Sequence, residues 1–120
     1  MRLQDRIDGD TYAGLGNHVT MVALTTAAPT YDMEVGDHIV IATSAAADAA
    51  GIVTLPSVAE ATGMMYYVIA PTGASGGDIS LTVKENATEL TTYGDLDADN
   101  DYVILFSDGT NWRVVTNGVA

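Results

Sequence analysis

Short apolar runs alternate along the chain with breaks rich in Gly, Asp and Thr, and the sharpest pattern lies near its end. There Tyr102-Val-Ile-Leu-Phe-Ser and Asn111-Trp-Arg-Val-Val-Thr flank Asp108-Gly109. Asp-Gly favours positive φ and supplies a two-residue turn, so the spacing predicts a β-hairpin. Side chains alternate between the faces of a strand, which puts Tyr102, Ile104 and Phe106 on one side and Val103 and Leu105 on the other. Neither side is polar. Residues 64–70 behave alike, with Met64, Tyr66 and Val68 on one side and Met65, Tyr67 and Ile69 on the other. Strands apolar on both faces need cover on both, either as central strands of a sandwich or barrel or through contact with another subunit.

The remaining pattern adds more short strands. Residues 19–25 and 37–43 offer two, separated by a turn-like Ala28-Pro-Thr-Tyr-Asp; 51–55 offers a third, stopped by Pro56. Ser57 and Glu60 have capping-box spacing for a brief helix ended by Gly63, and the alanine-rich stretch 44–50 has length for one helical turn. After a glycine-rich loop at 71–77, residues 78–84 alternate apolar Ile79, Leu81 and Val83 with polar neighbours, a strand with one wet face. Residues 86–101 turn polar and acidic, with a corner at Tyr93-Gly94. The predicted fold is all-β, a small antiparallel β-sandwich or partly open barrel of roughly seven strands. Residues 1–17, polar and carrying Gly9, Gly14 and Gly16, read as an extended N-terminal arm, and 18–120 as a single β domain. No internal repeat or linker divides it.

Composition narrows the function classes. A chain of 120 residues fits one domain, and such a domain leaves enough surface for oligomerisation to add stability. Cysteine is absent, which excludes disulfides and thiolate metal sites. Four Lys and Arg residues against sixteen Asp and Glu give a net charge of -12, which disfavours direct contact with nucleic-acid phosphates and favours solubility. It is also compatible with life at high salt, where self-repulsion is screened. The N-terminal residues mix charge with isolated apolar side chains, so no signal peptide or membrane span is expected, and the chain reads as made in the cytoplasm without secretion.

Candidate chemistry is sparse. Gly73-Ala-Ser-Gly-Gly77 matches the nucleophile-elbow string, but a strand rather than a helix follows the serine. His18 and His38 are the only neutral-pH bases, and neither has a triad context. Gly14 and Gly16 lack the third glycine of a pyrophosphate loop. The run Asp95-Leu-Asp-Ala-Asp-Asn-Asp101 imitates the opening of an EF-hand, but Asn100 stands at the turn glycine and Phe106 at the closing glutamate. That leaves a looser Ca²⁺ or Na⁺ site between subunits against a solvated turn. Asn86-Ala-Thr88 is a chance-level glycosylation sequon. Trp112 and Arg113, with Tyr66, Tyr67 and Tyr93 as further aromatics, suit glycan contact, against the alternative that Trp112 seals the core. No catalytic, cofactor-binding or metal residue is assigned, and the chain reads as a non-enzyme.

The order Thr54-Leu-Pro, Ala61-Thr-Gly63, the strand with Tyr66 and Tyr67, a glycine-rich turn and Ser107-Asp-Gly-Thr-Asn-Trp-Arg resembles a β module that recurs in virion proteins of tailed bacteriophages. The resemblance covers about half the chain. It implies a homotrimeric structural role in fibres, spikes or capsid decoration. A single copy of the module, without a long shaft or coiled-coil heptads, fits a compact decoration (cement) protein on the outer capsid surface better than a complete fibre. The reading that follows is a homotrimer bound to the major capsid protein, with no membrane or nucleic-acid partner. Met64, Tyr66, Val68, Tyr102, Ile104 and Phe106 are its candidate trimer interface, and Arg2, Leu3, Arg6, Ile7 and Tyr12 of the arm its candidate capsid contacts. The alternative is a tail-fibre or baseplate component that binds a receptor or glycan.

Overall fold

The computed structural model describes residues 18–25, 27–44, 51–71, 79–90 and 96–119. Nine strands form over these: β1 (Val19–Leu24), β2 (Thr30–Asp32), β3 (Ile39–Ser44), β4 (Gly51–Thr54), β5 (Met65–Ala70), β6 (Ile79–Val83), β7 (Thr88–Glu89), β8 (Asp101–Ser107) and β9 (Trp112–Gly118). One sheet has the order β1-β3-β5-β8-β9 and the other β2-β4-β6-β7, so the first six strands alternate between the two sheets. The sheets do not close into a barrel.

Each return to a sheet is parallel to the previous visit. Val19 lies opposite Ile39 and Ile39 opposite Tyr67 in one sheet; Thr30 lies opposite Ile52 and Ile52 opposite Ser80 in the other. The all-β, two-layered expectation therefore holds, but the expected antiparallel pairing holds only where the winding stops. β8 runs antiparallel to β5, β9 to β8 and β7 to β6. Parallel neighbours need a crossover, and here the strand of the opposite sheet supplies it.

Several local expectations change. β2 forms where a turn was expected, and β7 adds a two-residue strand. Residues 57–63 make turns instead of a helix. The Ala61 N–H reaches the Ser57 carbonyl at 3.0 Å, and the Val58 N–H is satisfied by the Glu85 carboxylate at 3.0 Å. Four residues are too few to sustain a helix without such outside help. The Asp108-Gly109 hairpin has a four-residue loop, because Ser107 pairs with Trp112. Gly109 takes φ of 96°, while the Asp108 carboxylate accepts from the N–H groups of Thr110 and Asn111 at 2.9 and 2.7 Å. The arm at 1–17, residues 45–50, the glycine-rich loop at 72–78 and the Tyr93-Gly94 corner lie outside the described residues.

The core fills the space between the sheets. Val40 and Ala42 of β3, Tyr66, Val68 and Ala70 of β5, and Val103 and Leu105 of β8 meet Val53 of β4 and Ile79 and Leu81 of β6, all of them fully buried. Leu24, Met33, Leu55, Leu96 and Trp112 close its ends.

Candidate functional site

Because side chains alternate, a sheet whose inner positions fill the core turns the intervening positions outward. On the first four strands of the five-stranded sheet those positions are Val19, Met21 and Ala23 of β1, Ile39, Ile41 and Thr43 of β3, Met65, Tyr67 and Ile69 of β5, and Tyr102, Ile104 and Phe106 of β8. The pairings Met21↔Ile41↔Ile69 and Ile39↔Tyr67↔Ile104 put them in continuous rows across the strands. Among them Met21 is 77% exposed and Met65 54%, while Ile39, Tyr67, Ile104 and Phe106 are half-buried. The Tyr67 and Tyr102 rings stack at 5.6 Å between centroids, which stiffens the middle of the face.

The charge of this face sets it apart. In a chain with sixteen acidic residues, none of the outward positions on these strands is Asp or Glu. Arg113 of the neighbouring β9, opposite Phe106, is basic, and its Nε donates to the Asp108 carboxylate at 2.8 Å. The N–H groups of Asn111 and Thr110, and then that bond, hold the Asp108 carboxyl down at about 2. A depression of about 250 Å³ opens on the same face between Ile39, Met65, Tyr67 and Ile104, with His38 and Tyr66 also lining it.

The candidate trimer residues divide between the two faces. Tyr102, Ile104 and Phe106 lie outward, whereas Tyr66 and Val68 have no exposed surface and belong to the core; Met64 precedes β5 and packs against that core. The correction is one of register. Antiparallel pairing sets Met65 opposite Phe106 and Tyr67 opposite Ile104, so the residues that share a face with Tyr102, Ile104 and Phe106 are Met65, Tyr67 and Ile69. A shift of one residue exchanges the faces. The arm candidates Arg2, Leu3, Arg6, Ile7 and Tyr12 lie outside the described residues.

Several of the described polar groups that drew attention in the sequence are engaged in structure, while Ser75, Tyr93 and Asp95 lie outside the described residues. Asp101 is 2% exposed and accepts from the N–H groups of Asp97 and Ala98 at 3.1 and 3.0 Å, so this carboxylate of the acidic run ties its own loop. No group of three or more His, Asp or Glu able to hold a metal ion occurs among the described residues. His38 stacks on Tyr66 at 5.9 Å, and the Tyr66 hydroxyl donates to the Val35 carbonyl at 2.9 Å. A cluster unmarked in the sequence surrounds buried Asp37, which accepts from Thr20 Oγ1 at 2.7 Å, Tyr31 OH at 2.6 Å and the Glu34 N–H at 3.0 Å. Burial opposes the charge of Asp37, but these donors and nearby His18 outweigh it and hold the carboxyl below its usual value.

Two of the strings that carry the phage-module resemblance meet in space. Thr62 forms a bridge with Ser107, the Gly63 N–H donates to the Ser107 carbonyl at 2.8 Å, and the Thr62 side chain lies over Gly109. Ser107 Oγ donates to the Val58 carbonyl and accepts from the Gly109 N–H. The conjunction of Ala61-Thr-Gly63 with Ser107-Asp-Gly is thus one packed junction between the loop before β5 and the β8–β9 hairpin. In comparisons with known proteins, no family, no curated relative and no solved structure matches this chain.

Proposed function

We propose that this protein is a structural subunit that associates through the outer face of its five-stranded sheet into a homotrimer, and that the trimer decorates and reinforces a viral capsid. The observation that carries the association is the apolar, carboxylate-free face of β1, β3, β5 and β8. Large apolar patches on soluble chains mark interaction sites, and moving each half-exposed side chain to full burial contributes on the order of 1 kcal/mol.

A second copy of the same chain suits this face for two reasons. Copies at a net charge of -12 repel each other, and this face is where they approach without bringing carboxylates together. The exposed Met21 and the depression between Ile39, Met65, Tyr67 and Ile104 occupy the same surface, so identical subunits carry both halves of a contact. The threefold count and the capsid setting rest on the resemblance to the phage module. In that setting three weak arm contacts through Arg2, Leu3, Arg6, Ile7 and Tyr12 act together, raising the effective affinity by orders of magnitude. Binding only to the assembled shell then stabilises it by mass action.

Co-sedimentation with undecorated tailed-phage capsids tests this reading. The intact chain is expected to pellet with the shells, and a variant lacking residues 1–17 to remain in the supernatant while keeping its oligomeric mass. An intact chain that stays wholly in the supernatant would contradict the capsid role.

A further inference from the structure

The two sheets end in edges of different kinds. The four-stranded sheet ends in β2 and β7, which have three and two residues and carry Asp32 and Glu89. Short edges that bear charge discourage a further strand from pairing. The five-stranded sheet ends in β1 and β9, of six and seven residues. Among the described residues neither has a neighbouring strand on its outer side. In a chain with sixteen acidic residues neither contains Asp, Glu, Lys or Pro, and the one charge on them, Arg113, is bonded to Asp108. Val19, Met21 and Val115 stand 47%, 77% and 51% exposed along these edges. The Ile39 N–H donates to the His18 carbonyl, so alternation along β1 turns the N–H groups of Met21 and Ala23 towards the open edge.

Strand direction restricts what fits there. β1, β3 and β5 are mutually parallel, and two antiparallel steps through β8 return β9 to the same direction. Rotation about an axis along the strands preserves that direction, so β9 of one copy meets β1 of the next as a parallel pair. Such a contact is head to tail and closes as a ring. A two-fold pairing of one edge with itself is antiparallel and leaves the other edge open. Three sheets of five strands at ~4.8 Å spacing make a prism whose axis lies about 7 Å from each sheet, somewhat more than half of the ~10 Å between packed sheets. Met65, Tyr67 and Ile104 of the outer faces are large enough to fill that space. A bulge bends its strand, and the one opposite Ile104 and Leu105 lies on β9, at the corner of the prism. Resting on the outer-face association, we propose that β9 of each subunit pairs with β1 of the next, so that a second copy of this chain covers each open edge and three sheets form one continuous ring.

Two measurements on the full chain test the edges separately from the face. Amide hydrogen exchange is compared between the parent and Ile104→Asp, whose carboxylate opposes outer-face association. The Met21 and Ala23 N–H groups are expected to exchange at least about tenfold more slowly in the parent. The absence of cysteine allows the second measurement. Met21→Cys and Thr116→Cys put one thiol on each edge, both on the outer face, since Thr116 lies opposite Ile104. Within one chain they are four strand spacings apart, roughly 19 Å, which a short bismaleimide does not span. The double variant is expected to give a covalent three-chain species, and neither single variant to link to itself. The edge pairing is overturned, with the outer-face association left standing, by a three-chain parent whose Met21 and Ala23 N–H groups exchange as fast as in Ile104→Asp. A three-chain double variant that gives no linked species, or a single variant that links to itself, overturns it in the same way. A parent of single-chain mass overturns both readings.

Discussion

The Tyr102 ring lies directly over Gly118 on the neighbouring strand, so close that a Cβ at residue 118 would stand 2.1 Å from a ring carbon. Glycine is required there by space. Gly118→Ala therefore pushes Tyr102 away from its stack on Tyr67 and disturbs the outer face at its centre. The expected cost is about 1–3 kcal/mol by overpacking, read as a lower urea midpoint with an unchanged slope, and it is expected to be accompanied by weaker self-association.

Tyr31 and Asp37 make stability depend on pH at both extremes. Burial, and then the hydrogen bond to Asp37, push the Tyr31 hydroxyl up to about 12 from 10.0. The folded state thus holds that proton more tightly, and the contribution is complete below pH 10 and lost as pH rises towards 12. Asp37 is shifted the other way, below 3.8, so its contribution is complete above that value and lost as pH falls through the folded one. Chemical unfolding across pH is expected to show both limbs. Tyr31→Phe should flatten the alkaline limb and Asp37→Asn the acid one, with Asp37→Asn costing about 1–3 kcal/mol near neutrality.

Ala87 sits in the β6–β7 turn with φ of 54°, where L residues with a Cβ are strained. The turn is held by the Asn86 side chain, which accepts from the Thr88 N–H at 3.0 Å. Ala87→Gly relieves the strain and is expected to raise stability by about 1 kcal/mol, measurable as an increased urea midpoint. An unchanged or lower midpoint would show that the turn tolerates alanine at no cost.

The strands that were legible in the sequence are those whose pattern is local. β5 and β8 announced themselves by unbroken apolar residues, and the hairpin by Asp108-Gly109. The winding was not legible, because its repeat is a register between distant segments. Val19 aligns with Ile39 but Ile39 with Tyr67, so successive turns differ in length and no fixed period marks them. The candidate interface was half legible for a related reason. Alternation shows that 64–70 has two apolar faces, but which one joins Tyr102, Ile104 and Phe106 depends on the opposition of Met65 to Phe106, a fact of pairing. Asp37 was invisible because its partners Thr20 and Tyr31 reach it from β1 and β2 across turns with no shared motif.

Light scattering on the purified chain tests the central claim most directly, with Ile104→Asp as the comparison. Ile104 faces outward, so a carboxylate there is solvated in a free chain but buried in an association through this face. The account predicts three times the 12.5 kDa chain mass for the parent, and a folded particle of single-chain mass for Ile104→Asp. A parent that scatters as a single chain, or an Ile104→Asp variant that keeps the parent's assembled mass, would contradict it.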